Sequence, residues 1–373
     1  MTRVTSCQHL NMVREQDHDR QAQFRVVLDR EAKGILRPMA VAQVRDVAAR
    51  AGVSPATVSN ALNHPDKVSE KTRLRVHRAI EELGYVRNDA ARQLRQQHNL
   101  AVGMIVLDIG NPFFADVARG AENNLAALQR PLLLGNSSQN AERELTQLRL
   151  FEEQRVDGIL ITPVGDVLSR LAQIKQRGIA VVIVDREAGA DQFSSVSTND
   201  RLGGRLAVQH LLDLGRRRIS VIGGPQMIRQ VAHRHQGAQD AAAGVDGAQV
   251  SLFDTGTMDS QAGREATRAV LDLPRHERPD AVFATNDLVA LGVLQELSRS
   301  GVRVPEDIAL TGYDDIQFAA SATVPISSIR QPAQEMGARA AKLLVAAIED
   351  PSSAVEHPVF TPALVAREST LGH

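Results

Sequence analysis

The side chains that most often carry out catalysis are scattered in this 373-residue sequence. Its eleven histidines lack metal-site spacing, and its single cysteine, Cys7, cannot form a CxxC site or an intramolecular disulfide. The sequence contains no dinucleotide-binding GxGxxG, no Walker A loop, no HExxH and no GxSxG. We therefore expect a protein that is not an enzyme and that holds no metal or cofactor.

One short segment carries side chains suited to reading DNA. Ser54 and Pro55 predict a helix start, because the serine hydroxyl accepts an otherwise unpaired amide and proline has no amide to leave unpaired. Val53, Val58 and Leu62 are expected to close a small core. Four residues would then point outward as candidate base readers: Pro55, Ala56, Ser59 and Asn60. The spacing alone also fits an ordinary helical hairpin.

The residues on either side of this segment have helical periodicity. Apolar residues recur at helical spacing over 44–51, and Gly52 ends that run. A further helix is expected over about 69–83, with Gly84 as its stop. Its apolar residues are Leu74, Val76, Ile80 and Leu83. Three short helices with a glycine in the first turn are typical of a helix-turn-helix.

Beyond residue 99 the sequence alternates between strand-length apolar runs and helix-length amphipathic segments. The helix-length segments include 115–128 and 201–214. The strand-length runs are 101–107, 158–161, 180–184, 219–222, 281–284 and 308–312. This alternation predicts parallel sheets covered by helices on both faces. The length of this region favours two doubly wound lobes over one.

The net charge changes sign along the chain. It is +2 for residues 1–38, +4 for 39–98 and −7 for 99–373. A basic unit before a large acidic one indicates a nucleic-acid-binding head on a body that does not bind nucleic acid, although a solvated basic face gives the same count. No apolar run approaches the roughly 18 residues that span a bilayer, and the N-terminus lacks the apolar core of a secretory signal. A cytoplasmic protein without membrane association is expected.

The segment VRDVAARAGVSPATVSNALN, residues 44–63, resembles the head of the LacI/GalR family of bacterial transcriptional regulators. The resemblance continues through VSEKTR (68–73), LGYVRN (83–88), AARQLR (90–95), GNPFFA (110–115), DGILI (157–161), VDR (184–186), ATNDLVALG (284–292), GYDD (312–315) and IRQP (329–332). It covers roughly residues 41–370. The resemblance implies an all-α helix-turn-helix head and an α/β bilobed body like a periplasmic binding protein, with two doubly wound parallel-sheet lobes joined by three crossings of the chain. We expect four regions: a disordered extension (1–40), the helix-turn-helix (41–86), a hinge helix and linker (87–98) and the body for effector binding and dimerisation (99–373).

The resemblance also implies DNA contacts in the head and hinge. These residues are Ser54, Pro55, Ala56, Thr57, Ser59 and Asn60 on the recognition helix, Tyr85 and Asn88 near the DNA backbone, and Arg92, Leu94 and Arg95 in the hinge helix. Leu94 matches the family's wedge residue, which enters the minor groove and kinks the operator. Many relatives have arginine in place of Asn60, so we expect an adenine contact here rather than a guanine contact.

The same resemblance implies an effector site between the lobes. Its residues are Phe113, Phe114, Asp185, Arg234, Asn286, Asp314 and Gln331. Arg234 and Asp314 are central to it, because an arginine fork and a carboxylate can grip vicinal hydroxyls or a planar polar ring. Met258 lies about where sugar-binding relatives can have an aromatic residue, and the chain has no tryptophan, so a stacking surface would have to come from phenylalanines. Other interpretations are that Asp185 and Asp314 cap helices and that Phe113 is a core residue.

The function that the resemblance implies is ligand-responsive transcription regulation, most often repression. A homodimer would bind a palindromic double-stranded operator, and a small metabolite, a sugar or sugar derivative, would switch its affinity. Relatives use the ligand either to release the protein from DNA or to recruit it, so the sign stays open. The alternative is a ligand-binding or DNA-architectural protein without a regulatory role.

Overall fold

The structure, a computed structural model, describes residues 42–85, 99–189 and 192–372. The chain divides into two compact units, Met1–Arg95 and Gln96–His373, called here the head and the body. Four residues that the resemblance places on DNA lie outside the described residues, as do the extension 1–40 and the expected hinge helix. These four are Asn88, Arg92, Leu94 and Arg95.

Three α-helices form the described part of the head. They are α1 Val44–Ala51, α2 Pro55–Asn63 and α3 Glu70–Leu83, with a 3-10 turn at Pro65–Lys67 before α3. The Ser54 Oγ accepts a hydrogen bond of 3.1 Å from the Thr57 N–H, which confirms the predicted helix start. Gly52 ends α1 at a φ of 63°, a left-handed conformation that favours glycine.

The core of the head is made of small and β-branched side chains. Its buried members are Val47, Ala48, Ala51, Val58, Ala61, Val76 and Ala79. Val53 and Leu62 pack against this core while partly exposed, which agrees with their expected place. Leu74, one of the apolar residues named for this helix, is 61% exposed and does not join the core. It lies two residues from Val76, about 200° around the helix, and so faces away from the core.

The first lobe of the body is a six-stranded parallel sheet covered by helices. Its strands are β1 Asn99–Val106, β2 Leu132–Asn136, β3 Val156–Ile161, β4 Ala180–Val184, β5 Ser194–Thr198 and β11 Val359–Phe360. Its helices are α4 Pro112–Ala126, α5 Ala141–Glu153, α6 Leu168–Gln176 and α12 Ala333–Glu349. The strand order is β11-β5-β4-β3-β1-β2, so β2 is an edge strand.

The second lobe repeats this architecture. Its strands are β6 Arg218–Ile222, β7 Gln249–Phe253, β8 Ala281–Ala284, β9 Ala309–Asp314, β10 Ser327–Arg330 and β12 Ala363–Val365. Its helices are α7 Asp200–Asp213, α8 Arg229–Ala242, α9 Ser260–Asp272, α10 Asp287–Arg299, α11 Gln317–Ala320 and α13 Glu368–Leu371. The order is β12-β10-β9-β8-β6-β7, parallel except that β12 runs antiparallel to β10.

The chain crosses between the lobes three times, from β5 to α7, from β10 to α12 and from β11 to β12. The fold therefore has the two doubly wound lobes and the three crossings that the sequence led us to expect. Within the residues that the structure describes, no helix is long and apolar enough to cross a membrane.

Candidate functional site

Residues that follow the carboxyl ends of strands in both lobes line one cavity, called here the cleft cavity. The first lobe contributes Leu107, Asn111, Phe113, Phe114 and Asp185. The second lobe contributes Ile228, Gln230, Val231, Arg234, Met258, Asn286 and Asp314. The structure thus brings together six of the seven residues predicted for the effector site. The seventh, Gln331, donates a hydrogen bond of 2.8 Å from its Nε2 to Asp314 Oδ1.

Arg234 is the centre of a buried polar network in the second lobe. Its Nε donates to Asp200 Oδ1 at 2.8 Å, and its Nη1 donates to the Thr285 carbonyl at 2.7 Å. Its guanidinium carbon lies 3.6 Å from the centre of the Tyr313 ring, and the Tyr313 hydroxyl donates to Asp200 at 3.1 Å. The distance from Arg234 Nη1 to Asp314 Oδ1 is 3.9 Å. Arg234 is therefore held in place by its own lobe. Asp314 lies near its guanidinium, at a distance too long for a hydrogen bond.

Close packing of α7 on α8 makes the ion pair between Arg234 and Asp200 possible. A Cβ added at Gly204 would lie 1.9 Å from the Arg234 carbonyl oxygen, so only glycine allows the two helices to approach this closely. The approach brings Asp200, the first residue of α7, to the side chain of Arg234.

Asp200 and Tyr313 are the site residues that sequence reasoning missed. A signal for Asp200 exists, because Thr-Asn-Asp occurs at 198–200 and again at 285–287, each time between a strand and a helix. In both copies the asparagine caps the helix: Asn199 Oδ1 accepts from the Leu202 N–H at 2.9 Å, and Asn286 Oδ1 accepts from the Val289 N–H at 2.8 Å. The aspartate that follows is buried in each copy.

Among the described residues, three hydrogen bonds join the two lobes across the cleft. Asn111 Nδ2 donates to Asp314 Oδ2 at 2.8 Å, and Gln230 Nε2 donates to Asp185 Oδ2 at 3.1 Å. The Met258 N–H donates to Gln139 Oε1 at 3.3 Å. Asp185 and Asp314 therefore each accept a hydrogen bond from the opposite lobe. The nearby helices α4 and α10 are capped by asparagines, Asn111 and Asn286.

Burial sets the electrostatics of the cleft. It raises the pKa of Asp185 well above the ordinary carboxyl value, and it raises the pKa of Asp200 and of Asp314. For Asp185 the neighbouring Asp200 raises it further, whereas Arg234 opposes the shift. Burial alone would lower the pKa of Arg234, but the surrounding acidic groups outweigh it and raise that pKa. Three carboxyl groups thus share one guanidinium, and the arrangement favours ligands that donate hydrogen bonds.

Four buried polar atoms around the cleft lack a hydrogen-bond partner among the described residues. They are Asp185 Oδ1, Gln230 Oε1, Thr285 Oγ1 and Gln331 Oε1. An unsatisfied buried group costs about 1–3 kcal/mol, so each of them favours a ligand or water that supplies the missing partner. The cleft cavity measures about 20 Å³. That volume holds about one water molecule.

The aromatic and apolar wall of the cavity belongs to the body's core as well. Phe113 and Phe114 are buried and stack edge to face, with ring centres 5.0 Å apart. Met258 lies in the same core cluster and also lines the cavity. Phe113 is therefore both a core residue and part of the cavity wall, as the two interpretations proposed.

In the head, α2 presents an exposed face formed by Pro55, Ala56 and Asn60. Thr57 and Ser59 are half-buried, and the Thr57 hydroxyl is hydrogen-bonded to Ser54 at 2.9 Å. Tyr85 packs against the head core. The exposed face has the small and amide side chains that fit a DNA groove.

Two family descriptions match the chain, one in the head and one in the body. Residues 43–88 match the bacterial regulatory proteins of the lacI family, and residues 208–370 match the periplasmic binding protein-like domain. The HTH-type transcriptional repressor PurR of Aliivibrio fischeri is 32% identical over 336 residues, 89% of this chain and 99% of that relative. The ribose operon repressor of Escherichia coli is 34% identical over 340 residues, 88% of this chain and 100% of that relative.

Solved structures agree with these relatives. The transcriptional regulator CelR in complex with cellobiose superposes with a TM-score of 0.63 at 36% identity, over 88% of this chain and 99% of that one. The lac repressor dimer bound to operator and the anti-inducer ONPF superposes with a TM-score of 0.73 at 26% identity, over the same shares of 88% and 99%.

Proposed function

This chain belongs to the LacI family of bacterial regulatory proteins, and we propose that its cleft binds a sugar or sugar derivative that controls operator binding. The protein is a DNA-binding transcription regulator that responds to an effector, and not an enzyme. Among its relatives, one is named for the ribose operon and one was solved with cellobiose.

The observation that carries the proposal is that several buried acceptor atoms near the fixed Arg234 side chain lack a hydrogen-bond donor. Asp185 Oδ1, Gln230 Oε1 and Gln331 Oε1 each require a donor, which the hydroxyls of a sugar supply. Arg234, held rigidly by Asp200 and Tyr313, supplies donors for a ring or hydroxyl oxygen. Phe113 and Phe114 form the apolar wall of the same cavity.

Effector binding and lobe contact compete for the same carboxylates. Asp314 and Asp185 accept from Asn111 and Gln230 of the opposite lobes, and these bonds close a cavity of about 20 Å³. A sugar is many times larger than one water, so it enters only when the lobes separate and those hydrogen bonds break. Its hydroxyls then replace the amide donors, and the lobes settle at a spacing set by the ligand. We propose that this change in lobe spacing is how the effector controls DNA binding by the head.

We assign DNA reading to the exposed face of α2. Pro55 and Ala56 have no hydrogen-bonding side chain, so they contribute shape and apolar contact with a thymine methyl, whereas Asn60 can pair with adenine. The helix and its contacts with the DNA backbone are supported by Ser54, Thr57, Ser59 and Tyr85. The resemblance adds Asn88, Arg92 and Arg95 as DNA contacts, with Leu94 as the minor-groove wedge.

A homodimer on a palindromic operator completes the proposal. Two consecutive leucines, Leu133 and Leu134, are 38% and 43% exposed on the edge strand β2. An exposed apolar edge strand is normally covered, and a second copy of the chain would cover it symmetrically. Two heads also double the base contacts that one small head makes.

A ligand panel tests the effector proposal directly. Thermal shift and calorimetry on the full chain with sugars, sugar acids, phosphorylated sugars and purines should identify a sugar or sugar derivative. The Asp314→Asn variant should then bind that ligand about 30- to 150-fold more weakly, because a charge-assisted hydrogen bond is lost. The control is Asp213→Asn, a solvent-exposed change in α7 that should leave affinity unchanged. Equal affinity of Asp314→Asn and the parent would show that the ligand lies elsewhere.

A further inference from the structure

A second cavity, of about 670 Å³, lies beside the first crossing between the lobes, and we call it the hinge-side pocket. Residues 186–189 and 197–199 of the first lobe line it together with α7 and α8 residues of the second lobe. Gln230 lines both this pocket and the cleft cavity. A ligand that breaks the Gln230–Asp185 hydrogen bond would therefore contact both cavities.

The hinge-side pocket brings together two arginines from opposite lobes. Arg186 is buried and donates from Nη1 to the Gly165 carbonyl at 2.6 Å, and Arg229 is exposed and makes no hydrogen bond or ion pair with a described residue. Burial lowers the pKa of Arg186, and the nearby Arg229 lowers it further. Two like charges that line one pocket from separate lobes repel each other, and an anion bound between the lobes would offset that repulsion.

Two other charged groups that line the pocket are held by partners of their own. Asp200 is engaged by Arg234 at 2.8 Å, and Arg201 is engaged by Asp240 at 3.0 Å. Exposed His233 and Glu187 also line the pocket. From the first lobe, Asp166 and Glu144 act on Arg186 and partly offset its charge.

The amino end of α8 faces the same pocket. This 14-residue helix begins at Arg229, and its first N–H groups, like those of any α-helix, have no intrahelical partners. The helix also has no side-chain cap, so no capping side chain takes up these N–H groups. Such groups bind anions together with nearby arginines. Gln230, the second residue of the helix, is buried and has an unpartnered Oε1. A ligand group with a donor therefore fits at the junction of the two cavities.

We propose that the hinge-side pocket binds the negatively charged group, phosphate or carboxylate, of an effector whose hydroxyls occupy the cleft cavity. This inference rests on the proposed function, because it names the chemical class of the same effector. The cleft cavity places two carboxyl groups, Asp185 and Asp314, around one cation, Arg234, and so disfavours an anion. The hinge-side pocket is lined by three arginines and two carboxyl groups, and this balance favours an anion. The effector is then a sugar phosphate or sugar acid that bridges the lobes at two places.

Matched ligand pairs test the inference in the full chain. Calorimetry should compare ribose with ribose 5-phosphate, glucose with glucose 6-phosphate, and glucose with gluconate. In at least one pair the charged member should bind about 10- to 100-fold more tightly, the gain expected for hydrogen bonds to charged groups. Arg229→Gln should remove most of this gain and leave the neutral member unchanged. Arg205→Gln, an exposed change on α7, is the matched control and should do neither.

The outcomes separate this inference from the proposed function. Inorganic phosphate should compete with the charged member and not with the neutral one. If neutral sugars bind in an Asp314-dependent way and the charged members bind no more tightly, the subsite is overturned and the proposed function stands. Equal weakening of both members by Arg229→Gln also overturns the subsite. If no sugar of either kind binds, both proposals fail.

Discussion

Replacing Arg234 with methionine should destabilise the body by about 3–5 kcal/mol, because the change leaves Asp200 buried without its cation. Both residues are 5% exposed, and 2.8 Å separates Arg234 Nε from Asp200 Oδ1. The change also removes the donor to the Thr285 carbonyl. Of the side-chain donors among the described residues, Asp200 would keep the Tyr313 hydroxyl, at 3.1 Å.

For a body of this size the loss corresponds to a fall in Tm of roughly 6–20 °C, at about 2–4 °C for each kcal/mol. Urea unfolding followed by circular dichroism measures the free energy directly. The double variant Arg234→Met, Asp200→Asn should recover at least half of the loss, because it removes the unpaired charge. Arg201→Met is the control: its partner Asp240 lies at the surface, so the cost should stay below about 1 kcal/mol.

A loss below about 1 kcal/mol for Arg234→Met, or a double variant no more stable than the single one, would refute this reasoning. The prediction also determines how the effector site is probed. Because removal of Arg234 changes folding as well as binding, Asp314→Asn is the cleaner test of ligand contact.

Three further predictions concern pH, the head and the dimer. Burial raises the pKa of Asp185, so the stability that this group contributes is present below its ordinary pKa near 4 and is lost as the pH rises through the raised value. Asp185→Asn should therefore raise the Tm at pH 7, with the difference vanishing towards pH 4; a constant difference would contradict this. Ser54→Ala should destabilise the head by about 1 kcal/mol through loss of the α2 cap, measured by thermal unfolding of the head's helices, and no change would show that the cap is not needed. Leu134→Glu should convert a dimer to a monomer in light scattering at micromolar concentration, whereas an unchanged mass would place the interface elsewhere.

Six of the twelve described strands coincide with the predicted apolar runs, and two of the strands that do not, β5 and β10, are rich in serine. In β5 and β10 the buried serines are hydrogen-bonded: Ser195 Oγ is bonded to His357 Nδ1 at 2.9 Å, and Ser328 Oγ donates to Asp287 at 2.7 Å. A polar side chain satisfied in this way is buried at little cost, so its strand carries no apolar signal. Because their partners are up to 162 residues away in the chain, no local pattern predicts these strands.

The resemblance predicted the candidate site, including Arg234 on α8, and the residues that it missed reach the site through the packing of distant segments. Asp185 and Asp314 come directly after or at the end of a strand, which sets them at the cleft. Asp200 reaches the site because Gly204 lets α7 approach α8, and Tyr313 because the end of β9 lies under Arg234. These contacts join parts of the second lobe that are distant in sequence.

Operator affinity measured against effector concentration, in the parent and in Asp314→Asn, tests the central claim most directly. Fluorescence anisotropy would use a palindromic site selected from random DNA by the full-length protein, with the ligand identified in the panel. The account predicts that the ligand changes the parent's operator affinity by at least about 5-fold, a typical coupling between two sites. Asp314→Asn should bind the operator as tightly as the parent without ligand, and it should respond only at about 30- to 150-fold higher ligand concentration. A parent whose operator affinity ignores the ligand, or a variant that responds at the parent's concentrations, would contradict it.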